Sequence, residues 1–138
     1  MPPSPSLPPI LVADDESNDV FLLRRALMKA GVTNPIIGVA DGEELLEFLQ
    51  GATFGGLIPC VLFLDIKMPR MGGFEALAAI RNHPSLAGLK VVMLTSSDLP
   101  ADVERARTLG ADAFLVKFPT PERLAAVLRE VGALPAAA

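Results

Sequence analysis

The sequence predicts an α/β fold, a doubly wound parallel sheet of five strands with helices on both faces. Three observations predict it. Short apolar runs alternate along the chain with longer segments whose apolar residues recur every three or four positions. The runs are apolar throughout, which is typical of parallel strands that are covered on both faces. A length of 138 residues suits one domain with one core.

Five segments have the composition of buried strands, at residues 10–13, 35–39, 60–64, 90–94 and 113–116. The first helix follows the first strand, with Ser17 or Asn18 able to cap its start and Gly31 able to end it. Residues 51–59 contain three glycines and predict a loop before the third strand. The later helices are marked by the apolar sets Leu45 and Leu49; Phe74, Leu77 and Ile80; Val103 and Ala106; and Leu124, Val127, Leu128 and Val131.

Composition excludes several classes of function. The net charge is −4 and no basic stripe is present, so we expect no direct binding to nucleic acid. The central apolar run at 60–64 is far shorter than the roughly 20 residues of a membrane span, and the N-terminus does not resemble a secretory signal. The single cysteine, Cys60, lies within that run and is expected to be a buried thiol. These features favour a cytoplasmic protein.

The chain divides into a folded domain and two tails. The Pro-rich residues 1–8 predict a disordered tail, residues 9–131 the domain, and residues 132–138 a short tail. Because only seven residues follow Val131, we expect no output domain there and an action through protein partners.

Polar residues follow four of the five predicted strands. Asp14 and Asp15 follow the first strand, Asp65 the third, Thr95 the fourth and Lys117 the fifth. Ligands of doubly wound sheets bind at the carboxyl ends of the strands. We therefore expect these side chains to meet at one edge of the sheet.

Their chemistry suggests a cation and a phosphoryl group. Two carboxylates 4 Å apart repel one another by about 4 kcal/mol at an effective dielectric constant of 20, so the acids need a positive partner. Hard oxygen ligands without His or Cys suit Mg²⁺, or Mn²⁺ in its place. Lys117 and Thr95 can donate to phosphoryl oxygens. Asp65 stands alone after the central strand and is the candidate nucleophile.

The segments ILVADDE, VLFLDIKMPRMGG, VVMLTSSD and ADAFLVKFP, in this order, resemble the receiver domains of bacterial two-component systems over about residues 9–131. The resemblance implies a flavodoxin-like strand order of 2-1-3-4-5. It also implies a response regulator that accepts a phosphoryl group on Asp65 from a sensor histidine kinase. Output would pass to a downstream protein through the fourth helix, the fifth strand and the fifth helix.

The same resemblance assigns roles to single residues. It implies that Asp15, Asp65 and the main-chain carbonyl of Lys67 bind the cation, and that Asp14 assists through water. Glu16, which precedes the first helix, is expected to face solvent instead.

Thr95 and Lys117 would bind the phosphoryl group, and Thr95 and Phe114 would be the switch residues. For Phe114 an ordinary core phenylalanine is a serious alternative. Met68 and Met71 are expected to pack, and Gly72 and Gly73 to lead the chain into the next helix.

The finer resemblance is to small receivers that partner bacterial phytochromes and other hybrid sensor kinases. It makes a bacterial phytochrome and a second copy of this chain candidate partners. A degenerate, unphosphorylated receiver is one alternative. Haloacid dehalogenase-like phosphatases are another, but they carry a second Asp where this chain has Lys67. A flavodoxin-like cofactor carrier is disfavoured because the acids after the first strand would repel a phosphate.

One departure from the family concerns the residue after Lys117. The family lysine is followed by proline across a cis peptide bond, whereas here the order is Lys117, Phe118, Pro119. Because a cis bond before a non-proline residue is rare, we predict a trans bond between Lys117 and Phe118. Any cis bond would then precede Pro119. We still expect the Lys117 ammonium to face Asp65.

Overall fold

The computed structural model describes residues 7–54, 56 and 58–133. Strands and helices alternate along this part of the chain, as the sequence predicts. The strands are β1 (Ile10–Ala13), β2 (Ile36–Val39), β3 (Val61–Leu64), β4 (Val91–Thr95) and β5 (Ala113–Val116). The helices are α1 (Ser17–Lys29), α2 (Gly42–Thr53), α3 (Gly73–Asn82), α4 (Pro100–Thr108) and α5 (Pro121–Glu130).

The strands form one parallel sheet in the order β2-β1-β3-β4-β5, which confirms the predicted topology. Ile10 of β1 pairs with Ile36 of β2 on one side and with Val61 of β3 on the other. The strands β1 and β3 are therefore central, and the residues that follow them lie in the middle of the sheet edge.

Each face of the sheet carries its own core, because alternate residues of a strand point to opposite faces. In β1, Leu11 and Ala13 belong to the core under α2, α3 and α4, whereas Ile10 and Val12 belong to the core under α1 and α5. All four residues of β1 and of β3 are buried. This two-sided burial explains why the strands read as continuous apolar runs.

Two helix boundaries differ from the sequence prediction. Helix α1 begins after Glu16 without a side-chain cap, so the expected capping by Ser17 or Asn18 is wrong. The Glu16 amide donates to Asp14 Oδ1 at 2.9 Å, and the chain turns into the helix one residue early. At the other end, Gly31 has a φ of +91° and ends the helix as predicted.

Helix α2 continues to Thr53, so residues 51–53 are helical rather than part of the predicted loop. The buried Ala52 extends the apolar stripe of Leu45 and Leu49 by one more turn, which offsets the weak helix propensity of Gly51. Just before β3, Cys60 is half-buried rather than fully buried, and burial raises the pKa of its thiol.

The predicted N-terminal tail lies mostly outside the described residues, as do positions 134–138 of the C-terminal one. Of the first tail, Pro8 is fixed to the domain, since Asn34 Nδ2 donates to its carbonyl at 2.8 Å. Over the part of the chain that the structure describes, none of the helices has the length and apolar character needed to cross a membrane.

Candidate functional site

The predicted polar residues meet at the carboxyl edge of the sheet. Asp14 follows β1, Asp65 follows β3, Thr95 ends β4 and Lys117 follows β5. The parallel ladder continues past the strand ends, where Asp65 donates its amide to the Ala13 carbonyl at 3.0 Å and Lys117 to that of Thr95 at 2.9 Å. These bonds fix the backbone of each residue, so the side chains begin from rigid positions.

Three carboxylates form a compact cluster. Asp14, Asp15 and Asp65 each place an oxygen within 4.8 Å of the others. Asp14 and Asp65 are buried while Asp15 is exposed, so the cluster opens to solvent on one side. At that separation each pair of charges repels by about 3.5 kcal/mol at an effective dielectric constant of 20.

The cluster fits a hard divalent cation, which takes carboxylate oxygens and keeps several waters. Burial raises the pKa of Asp14, although the hydrogen bond from Lys117 opposes that rise. Asp14 is thus costly to keep ionised without added positive charge. Glu16 is exposed and lies outside the cluster, and Lys67 lies exposed in the loop after β3, where its carbonyl stays a predicted ligand.

The Lys117 ammonium lies among three carboxylates. Its Nζ is 2.7 Å from Asp14 Oδ2, 2.7 Å from Asp19 Oδ2 and 3.1 Å from Asp65 Oδ2, and the side chain is 6% exposed. Burial alone would lower the pKa of Lys117, but the bonds to Asp14 and Asp19 and the charge of Asp65 raise it above the ordinary value. The ammonium therefore remains charged at any physiological pH.

Sequence reasoning missed Asp19. It lies in the first turn of α1, the helix whose N-terminus stands at this edge of the sheet. That position was the available signal, but an acid in a first turn is usually explained by the helix dipole alone.

The peptide bond between Lys117 and Phe118 is cis, so the predicted trans bond is wrong. The prediction rested on the trans preference of an isolated peptide bond before a non-proline residue. In the fold, Lys117 is held at both ends, by its amide at Thr95 and by its ammonium among the acids, and these tertiary contacts are absent from the local sequence. The second half of the expectation was right, because the ammonium faces Asp65.

Thr95 and Phe114 occupy different parts of this region. Thr95 is 2% exposed and stands at the site. Phe114 is half-buried and packs against the core under α2, α3 and α4. It also lines a cavity of about 200 Å³ between α4 and β5, together with Val103 and Ala106. The switch role of both residues remains a prediction.

The loop after Asp65 is held closely against the sheet. Gly73 donates its amide to Ile66 O at 2.8 Å, and a Cβ atom on Gly73 would lie 2.0 Å from the Asp65 carbonyl oxygen. Met68 and Met71 pack against the core as predicted. In the same loop, Arg70 Nε donates to Asp41 Oδ2 at 2.9 Å, a contact that the sequence did not reveal.

Asp41 also caps α2, since its Oδ1 accepts the amide of Glu44 at 2.8 Å. That bond, and then Arg70, hold the pKa of Asp41 below its ordinary value. Asp41 thereby joins the loop that follows the candidate nucleophile to the start of α2.

Comparison with known proteins agrees with this geometry. A family model of the response regulator receiver domain matches residues 10–129. The chain is 30% identical over 123 residues to the probable methanogenesis regulatory protein FilR2 of Methanothrix harundinacea (strain 6Ac), covering 88% of this chain and 79% of that protein. It is 31% identical over 110 residues to the response regulator Rcp1 of Synechocystis sp., covering 78% and 75%.

Solved structures give the same result. The bacteriophytochrome response regulator AtBRR is similar with a TM-score of 0.83 and 33% identity, covering 97% of this chain and 99% of that one. The Mn²⁺-bound form of Rcp1 is similar with a TM-score of 0.78 and 25% identity, covering 95% and 99%. The chain therefore belongs to the family of response regulator receiver domains of two-component signalling.

Proposed function

We propose that this protein is a response regulator in which Asp65 accepts a phosphoryl group from a sensor histidine kinase, with Mg²⁺ or Mn²⁺ bound beside it. One observation carries the proposal: Asp65 stands where the carboxylate cluster and the Lys117 ammonium meet. A nucleophile, a place for a cation and a cationic phosphoryl ligand therefore adjoin one another.

The carboxylate of Asp65 is oriented before any reaction. Its Oδ1 accepts the amide of Ile66 at 2.7 Å, and its Oδ2 accepts Lys117 Nζ at 3.1 Å. An oxygen of Asp65 would attack phosphorus and form an O–P bond. The N–P bond of the phosphohistidine would break, and its electron pair would return to the imidazole. Lys117 and the Thr95 hydroxyl would donate to the phosphoryl oxygens as negative charge spreads over them.

Asp14, Asp15, Asp65 and the Lys67 carbonyl would hold the cation. When bound, it would offset the charge of the crowded acids and of the incoming phosphoryl group. The proposal is supported by the hard oxygen donors of the cluster and by the similarity to Rcp1, a protein with a known Mn²⁺-bound form.

Receiver domains are phosphoacceptors rather than turnover enzymes, and we propose the same for this chain. The position two residues after Asp65 supports this view. A phosphatase of the haloacid dehalogenase type places an acid there, whereas this chain has an exposed lysine, Lys67.

We further propose a bacterial phytochrome as the partner kinase and a cytoplasmic location. Similarity to the bacteriophytochrome response regulator AtBRR supports the choice of kinase. Output would pass to a downstream protein, or to a second copy of this chain, through the surface of residues 103–117 and 121–131. The cavity between α4 and β5 that Phe114 lines supports a switch role for its ring.

Intact-mass measurement after incubation with acetyl phosphate tests the phosphoacceptor. We expect one phosphoryl adduct in the wild type with MgCl₂ and almost none in excess chelator, because the bare acids repel an anionic donor. The variant Asp65→Asn should form no adduct. The control Asp98→Asn, an exposed acid after β4, should behave as the wild type. An adduct on Asp65→Asn, or equal labelling in chelator, would refute the assignment.

Amide hydrogen exchange of the beryllofluoride-treated protein tests the output surface. We expect changes in residues 103–117 and 121–131 as well as in the site loops. A change confined to the loops would show that output does not use this surface.

A further inference from the structure

Asp19 contacts the site through Lys117. Its Oδ2 lies 2.7 Å from Lys117 Nζ, closer than Asp65 at 3.1 Å, and its side chain is 23% exposed. It does not belong to the group of acids whose oxygens lie within 4.8 Å of one another. Asp19 is thus a carboxylate on the ammonium side of the site rather than on the cation side.

The ammonium of lysine has three N–H donors, and three carboxylates surround it here. Two of these carboxylates, Asp14 and Asp65, are also members of the acidic cluster. A cation would draw them toward itself, and the phosphoryl group would occupy an oxygen of Asp65. Asp19 binds neither the cation nor the phosphoryl group, so it can keep its bond to Lys117 during the whole reaction.

We propose that Asp19 is a positioning residue that holds the Lys117 ammonium at the phosphoryl position while Asp14 and Asp65 engage the cation and the phosphoryl group. The inference rests on the proposed function, in which Lys117 binds the phosphoryl group. It assigns to α1 a part in the reaction, because the contact joins the first turn of that helix to the loop after β5.

Two other roles for Asp19 make different predictions. If Asp19 only stabilised the N-terminus of α1, its contact with Lys117, which is 6% exposed, would play no part in the reaction. Its removal would then leave the rate of phosphorylation unchanged. An acid that acts through its charge would repel the phosphoryl group, so its removal would speed phosphorylation. A positioning residue has the opposite effect, since its removal frees the ammonium and slows phosphorylation.

The rate of phosphoryl uptake from acetyl phosphate, at saturating MgCl₂, separates these roles. We expect Asp19→Ala to slow uptake roughly tenfold to a hundredfold, as misplaced reacting groups do. Asp19→Asn keeps an oxygen that accepts from Lys117 and should stay within roughly threefold of the wild type. The control Glu43→Ala removes an exposed acid from the first turn of α2 and should have no effect. Should the alanine variant not fold, Asp19→Ser, which is too short to reach Lys117, replaces it.

A second measurement tests whether Asp19 acts through Lys117. In a Lys117→Ala background, Asp19→Ala should cause no further loss of rate. In the unphosphorylated protein, the nitrogen-15 signal of the Lys117 ammonium should exchange with water faster in Asp19→Ala and stay slow in Asp19→Asn.

Uptake that is unchanged or faster in Asp19→Ala, or a full additional loss in the Lys117→Ala background, would overturn the inference while leaving the proposed function intact. A wild type that takes up no phosphoryl group would refute the proposed function and the inference with it.

Discussion

Replacing Lys117 by methionine should strongly destabilise the protein when no divalent cation is present. The variant keeps most of the side-chain volume but leaves Asp14, Asp19 and Asp65 without their shared counter-charge. Each contact at 2.7 Å represents an attraction of about 6 kcal/mol at an effective dielectric constant of 20, and the contact at 3.1 Å about 5 kcal/mol. Desolvation offsets much of this attraction in the native protein. Removing one partner of a buried ion pair costs about 3–5 kcal/mol, and we expect a loss in that range.

Urea unfolding at pH 7 in chelator measures this loss. Lys29→Met, an exposed lysine in the last turn of α1, is the matched control and should change the free energy of unfolding by less than about 0.5 kcal/mol. Adding MgCl₂ should stabilise Lys117→Met more than the wild type, because the cation supplies the missing positive charge. At a concentration about 100 times its dissociation constant, a ligand stabilises by about 2.7 kcal/mol.

The same variant should show a distinct pH dependence. Burial already raises the pKa of Asp14 above 3.8, and Lys117 opposes that rise, so without Lys117 the pKa should rise further. A carboxyl whose folded pKa is raised stabilises the fold below the unfolded pKa and loses that contribution as pH increases through the folded value. The deficit of Lys117→Met should thus be small near pH 3.8 and grow as pH rises. A loss below about 1 kcal/mol in chelator, or a deficit independent of pH, would show that the ammonium does not balance the cluster.

Four further predictions concern the site and helix α2. Asp15→Asn should lose most of its Mg²⁺-induced rise in melting temperature and, in chelator, melt no lower than the wild type, because one of several crowded charges is gone. Asp41→Ala should unfold at a lower urea concentration than the wild type at pH 7. Because the folded pKa of Asp41 lies below 3.8, its ionised carboxylate stabilises the fold above that pH and stops doing so in acid. The difference in stability between the variant and the wild type should therefore disappear as pH falls well below 3.8. Gly73→Ala should cost more than about 3 kcal/mol in urea unfolding, because its Cβ would meet the carbonyl of Asp65 at 2.0 Å. Gly51→Ala, with open space around its Cβ, should instead stabilise α2 by roughly 0.5–1 kcal/mol.

The strands could be predicted almost to the residue because their signal is local. A strand buried on both faces must be apolar at every position, as in the completely buried β1 and β3. Helix ends are harder to predict from the sequence, because a small buried residue does not mark the apolar face of a helix clearly. Gly51 suggested a loop, but the turn is helical and the neighbouring Ala52 is buried.

The residues of the site that follow strands could also be predicted, since the ends of parallel strands share one edge. Asp14, Asp65, Thr95 and Lys117 needed only the topology to bring them together. The isomer of the bond after Lys117 could not be inferred in this way. The trans preference of an isolated peptide bond depends on two neighbouring residues only. Lys117, in contrast, is held by distant partners such as Asp14, which lies 103 positions earlier in the chain.

Asp19 escaped prediction because its role depends on the rotation of a helix. An α-helix turns by roughly 100° per residue, so the residue at which α1 begins decides which of its side chains faces the loop after β5. The Glu16 amide bonds to Asp14, and α1 begins at Ser17. An extra residue inserted between Ser17 and Asp19 would rotate the acid away from the Lys117 ammonium while leaving every strand-end residue in place. The start of α1 is therefore part of the geometry of the site, and Asp14, which accepts the Glu16 amide there, also contacts the Lys117 ammonium.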